Sequence, residues 1–129
     1  MKLQSITYLV RDYDEAIVWF VEKLGFMLCE DVKLSDQKRW VKVAAGDDGF
    51  SLLLAKAEGG AQIAAIGHAA GGRVSFFLHV DDFSLHFQRL KSAGVRFREE
   101  PRYETYGTVA VFEDLYGNGW DLIGPARNS

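Results

Sequence analysis

Apolar and polar residues alternate loosely along "LQSITYLV" (3–10), a pattern that predicts a half-buried strand. The period then lengthens. In "RDYDEAIVWFVEKLGF" either Asp12 or Asp14 can cap a helix, Ala16, Ile17, Phe20 and Leu24 recur at helical spacing, and Gly25 ends the run. Strands are predicted next at 27–33, 39–45 and 50–55, separated by the turn-forming stretches "SDQK" and "GDDG". After the small-residue connector "AEGGAQIAAIGHAAGG" the order starts again. A strand in "RVSFFLHV" leads to Asp81, a helix to Ala93, a stop at Gly94, and strands near 95–99, 107–112 and 119–123.

The halves agree in spacing as well as order. Asp12 to Gly25 and Asp81 to Gly94 are each thirteen positions, and "VAAGDDGFSLLL" (43–54) lies over "VFEDLYGNGWDL" (111–122) at a constant offset of 68. Two modules, 1–56 and 73–125, joined by the Gly/Ala-rich connector, are therefore expected to share one domain over 1–129. In each module the helix covers one face of a sheet, and the twin module or a partner chain has to bury the other. Concave surfaces of that kind are where small ligands usually bind.

Composition narrows the function. With 48% hydrophobic and 26% charged residues the chain has the make-up of a folded protein. A formal charge of −3 supplies no basic patch for phosphate backbones or anionic lipid, so neither nucleic acid nor membrane is an expected partner. The lone Cys29 cannot close an intrachain disulfide, the N-terminal stretch is too short and polar for a secretory signal, and no apolar run approaches the roughly 20 residues of a membrane span. A cytoplasmic location follows as the expectation.

Two stretches, "VRDYDEAIVWFVEKLGF" (10–26) and "YGTVAVFEDLYGNGWDLI" (106–123), resemble the strand-to-helix signature and the closing hairpin of the vicinal oxygen chelate superfamily. That superfamily holds glyoxalase I, extradiol dioxygenases, fosfomycin-resistance enzymes and bleomycin-resistance proteins. The resemblance implies an α+β fold, two β-α-β-β-β modules forming a curved eight-stranded sheet around a cleft, and a homodimer. In metal-using relatives a His or Gln on the first strand of each module and commonly a Glu on the last strand hold one divalent ion. The corresponding positions here are Ser5, Ser75, Leu53 and Asp121.

Only Asp121 is an ordinary ligand, and one carboxylate with two hydroxyls is a poor set for a divalent ion. His79 lies about 13 Å along the strand from Ser75 against metal bonds of about 2 Å, so it cannot replace that residue. Gln4 would need a strand bulge to reach the face of Ser5. No metal-binding residue and no cofactor is therefore expected, a divalent ion remaining open.

Asp121, flanked by Trp120 and Leu122, reads as a buried carboxylate. It either stitches the modules through hydrogen bonds or faces a ligand as an acid or base, with His79 as a second catalytic candidate. The expected ligand-binding set is Ser5, Trp40, Leu53, Ser75, Phe77, Tyr103 and Tyr106, with Trp120 and Phe112 assigned to the core. Arg98, Glu99, Glu100 and Arg102 read as a solvated edge, and Glu113 and Asp114 as turn and hairpin-edge residues. Three functions follow. One is a metal-free binder of a small organic molecule, like the bleomycin-resistance group. The second is a metal-independent isomerase or lyase using Asp121. The third is a metal-dependent glyoxalase or dioxygenase with an atypical ligand set.

Overall fold

The computed structural model describes residues 1–127. The chain divides between Ala69 and Ala70 into two compact units. The first contains β1 (Ser5–Val10), α1 (Tyr13–Val18), β2 (Met27–Lys33), β3 (Arg39–Ala44), β4 (Ser51–Lys56) and α2 (Gly59–Ala65). The second contains β5 (Val74–His79), α3 (Phe83–Ser92), β6 (Arg102–Glu104), β7 (Gly107–Glu113) and β8 (Gly119–Gly124). This is the α+β, twofold β-α-β-β-β arrangement. Hydrogen bonding runs as two four-stranded sheets, ordered β1-β4-β3-β2 and β5-β8-β7-β6.

In each unit the first strand runs parallel to the last and the remaining ladders are antiparallel. A parallel pair needs a crossover connection, and the helix supplies it. Asp12 caps α1, its carboxylate accepting from Glu15 N at 2.8 Å. The helix continues as a π-helical turn over Trp19–Lys23 before Gly25, at φ +81°, reverses the chain. Tyr13, Ala16 and Phe20 form its buried stripe, and the Phe20 ring meets Tyr8 of β1 edge-on at 5.2 Å. Burying a ring such as Phe20, which has no exposed surface, is worth about 2–3 kcal/mol.

The second unit repeats the scheme, and the chain departs from the sequence expectation at three places. Asp82, not Asp81, caps α3, accepting from Leu85 N at 3.1 Å. The connector contains the short helix α2, with Glu58 N donating to the Gln62 side chain at 2.9 Å. The strand expected near 95–99 is reduced to a single bridge, Phe97 to Phe112, and the pairing resumes as β6 only at Arg102. Pro101 has no N–H to donate, so the chain bows away from β7 over the intervening residues. The core of this unit is Val109, Ala110, Phe112, Trp120 and Leu122 from the sheet with Phe83, Phe87 and Leu90 from α3.

Candidate functional site

Asp121 occupies the middle of β8, the strand between β5 and β7. Its neighbours along the chain, Trp120 and Leu122, are buried among the core residues facing α3, so strand alternation turns Asp121 to the opposite face. Across the ladders it pairs with Phe77 of β5 and Val111 of β7. Phe77 is 60% exposed. The aspartate is half-buried, yet its Oδ1 is sealed from solvent and has no hydrogen-bond partner among the described residues. Burial pushes its carboxyl upward from the ordinary value, the nearby Arg102 guanidinium pulls it back, and the Glu99 carboxylate adds to the rise.

Those two charged residues belong to a built network. Glu99 Oε2 accepts from Arg102 Nε at 2.8 Å and from the backbone N–H of Val111 at 3.2 Å. Arg102 Nη1 donates to Glu104 Oε1 at 2.8 Å, and Glu99, Tyr106 and Glu104 together hold the guanidinium firmly in its charged form. Through Val109, its partner on β7, Arg102 shares the face of Val111 and Asp121. The sequence reading placed Glu99 and Arg102 on a solvated edge. Both are half-buried, and they are the two charged groups whose fields reach Asp121. Pro101, which breaks the pairing with β7 just after Glu99, was the signal available in the sequence.

His79 lies two positions beyond Phe77, opposite Ile123, and is exposed at the strand end. Ser75 falls at a register shift between Val74 and Phe76, so it lacks a regular partner on β8. Tyr103 pairs with Thr108, one position out of phase with Arg102, and so turns to the α3 side. There it lines a cavity of about 470 Å³ with Phe83, Phe87, Gln88, Thr108 and Arg127, whose guanidinium stands 4.3 Å from the Tyr103 ring centre. Tyr106, 64% exposed, follows β6 in the turn. Within this unit the ladder therefore puts Phe77 and Asp121 together and Tyr103 on the other face.

In the first unit Ser5 pairs with Ser51, and Leu53 lies between Thr7 of β1 and Lys42 of β3. The β1–β4 register is unbroken from Ser5 to Val10, so no bulge turns Gln4 inward. Its carbonyl accepts from Ser51 N at 3.0 Å. Trp40, 38% exposed, carries the Lys42 ammonium 5.3 Å from its ring centre. Leu53 has no donor atom at all. Among the described residues no three His, Cys, Asp or Glu side chains come together as a metal site would require. The donor set does not fit the divalent ion of the metal-using relatives.

The Glyoxalase/Bleomycin resistance protein/Dioxygenase superfamily model matches residues 2–122, and the chain belongs to that family. Among curated proteins it is 52% identical to an uncharacterized protein of Shewanella frigidimarina (strain NCIMB 400), over 93% of each chain. It is 35% identical to the uncharacterized protein YurT of Bacillus subtilis (strain 168), over 92% of this chain and 94% of YurT. Among solved structures UcmS2 superposes with a TM-score of 0.82 at 30% identity, covering 95% of this chain and 97% of that one. TnmS3, an antibiotic binding protein from Streptomyces sp. CB03234, superposes with a TM-score of 0.76 at 26% identity, covering 98% and 97%.

Proposed function

We propose that this chain is a small-molecule-binding protein of the glyoxalase/bleomycin-resistance type that takes up its ligand without a divalent ion. The observation that carries the reading is the pair of positions on the last strands. Leu53 offers no donor, and Asp121 keeps a buried Oδ1 with no hydrogen-bond partner among the described residues, beside an exposed aromatic ring, Phe77. A buried acceptor that the fold leaves unmade is costly and is relieved when a ligand compensates it. Similarity to the antibiotic binding protein TnmS3 supports a bulky organic ligand. The reading includes a cytoplasmic location and a homodimer, and light scattering on the purified chain checks the second.

A thermal-shift screen of aromatic antibiotics and hydroxy-carbonyl metabolites, run with and without chelator, tests it. At about a hundredfold excess over Kd a ligand adds roughly 2.7 kcal/mol of stability, and the shift should survive the chelator. Silence across a broad panel, or a shift abolished by the chelator, overturns it.

A second reading is favoured by the upward shift of Asp121: a metal-independent isomerase or lyase with this carboxyl as acid or base and His79 orienting substrate. Turnover of a ligand found in the screen, reduced about a hundredfold or more by Asp121→Asn, would establish it over simple binding.

A further inference from the structure

The charges around Asp121 do not cancel. Arg102 brings one positive charge, but its Nε and Nη1 are already engaged by Glu99 and Glu104 at 2.8 Å each. With all three groups ionised, Asp121 and the two charged residues that act on it, Glu99 and Arg102, hold two negative charges and one positive, a net charge of −1, and Glu104 shares the same guanidinium. Arg102 cannot swing to Asp121 without abandoning two charge-assisted bonds. The network therefore keeps the aspartate short of a cation while holding the surrounding charges in place.

We propose that the ligand is an organic cation, a protonated amine that docks against Asp121 with the exposed ring of Phe77 as its aromatic floor. The proposal rests on the small-molecule-binding reading and assigns the ligand its chemical class. Phe77 is the cross-strand partner of Asp121, one strand spacing away, so both present to the same face. A cation matches this pair in two ways. Its charge compensates the whole carboxylate through space, which a neutral donor cannot do for an Oδ1 already sealed from contact. It also gains from the negative face of the ring. An anion meets the net negative cluster and is disfavoured, and Leu53 and the scattered donor set leave a bare metal ion poorly held.

The test is a titration of the ¹⁵N-labelled full chain near neutral pH with 2-phenylethylamine, 2-phenylethanol and phenylacetate, followed by amide shifts. The amine should perturb Phe77, Val111 and Asp121 and bind about tenfold tighter than the alcohol, with phenylacetate weakest. Asp121→Asn, which keeps the shape, should make amine and alcohol equal. Phe77→Leu should weaken the amine about threefold while affecting the alcohol less. The proposal is overturned if the alcohol or acid matches the amine, if the preference survives Asp121→Asn, or if the amine leaves these amides unmoved. Hits in the antibiotic screen with no amine preference sink the cation assignment alone; silence in both sinks the binding reading with it.

Discussion

The carboxylate of Asp114 accepts from the indole N–H of Trp120 at 2.9 Å, tying the turn before β8 to the residue that immediately precedes Asp121. The same carboxylate accepts from the backbone N–H groups of Tyr116 at 2.9 Å and Asn118 at 3.0 Å, and from the Asn118 amide at 3.1 Å. Asp114 is buried, at 6% exposure. Trp120 is thereby locked into the core side of β8, and alternation presents Asp121 to the other side.

Replacing Asp114 by Ala removes all of these accepted bonds at once and strands buried donors. With hydrogen bonds to charged groups worth about 1.5–3 kcal/mol each and not additive, a loss of about 3 kcal/mol is expected. Urea denaturation followed by tryptophan fluorescence measures it. A loss under about 1 kcal/mol would mean that the turn holds itself by other means.

Asp121 carries a stability signature of its own. Its carboxyl is raised in the folded state above 3.8, chiefly by burial. Its contribution to stability is therefore full below the unfolded value and lost as pH rises through the folded one. Relative to the parent, Asp121→Asn should gain stability as pH rises over that window, since it has no charge to bury. His79, Glu99, Arg102 and Glu104 remain in both proteins, so denaturation of the pair across about pH 3–8 isolates the aspartate. A stability difference independent of pH refutes the assignment.

Arg102 is one of the influences holding that shift down. Arg102→Met, which keeps an apolar stem but no charge, should move the Asp121 midpoint to higher pH, whereas Arg102→Lys should move it less. A carbonyl-detected carbon NMR titration of Asp121 reads the midpoint directly. An unmoved midpoint in the Met variant would remove Arg102 from the site.

A packing contact beneath the site is equally testable. A Cβ placed on Gly124 would stand 2.5 Å from Phe83 Cβ and 3.3 Å from Phe83 Cα, so Gly124→Ala has to push α3 away from β8. A cost of about 1–3 kcal/mol is expected. Gly46, where an added Cβ meets nothing within 4 Å, is the control and should tolerate Ala with little change. Calorimetric melting temperatures separate the two.

Much of this fold was legible along the chain because its signals are local. A cap at Asp12 or Asp14, Gly25 and Gly94 as stops and the strands that became β1–β5, β7 and β8 each depend on a few neighbouring residues. Where two adjacent residues could do the same work, local reasoning had no way to choose. Asp81 was the expected start of the second helix, and the adjacent, chemically identical Asp82 takes the capping place. The strand near 95–99 looked sufficient on composition, but the backbone beside Pro101 could not keep pace with β7.

The sequence by itself determined that the chain repeats a β-α-β-β-β unit, that Asp121 interrupts an apolar strand, and that Leu53 cannot bind a metal, since all three are properties of spacing and side-chain chemistry. The tertiary structure alone decided which residues stand beside Asp121. Phe77 and Tyr103 are both exposed aromatics, yet ladder register puts one on the carboxylate's face and the other over the α3 cavity. Glu99 and Arg102 look like any surface alternation until β7 brings them within electrostatic reach of that carboxylate. The reason is that a strand's period of two makes a face assignment depend on its partner's register, which is a long-range fact.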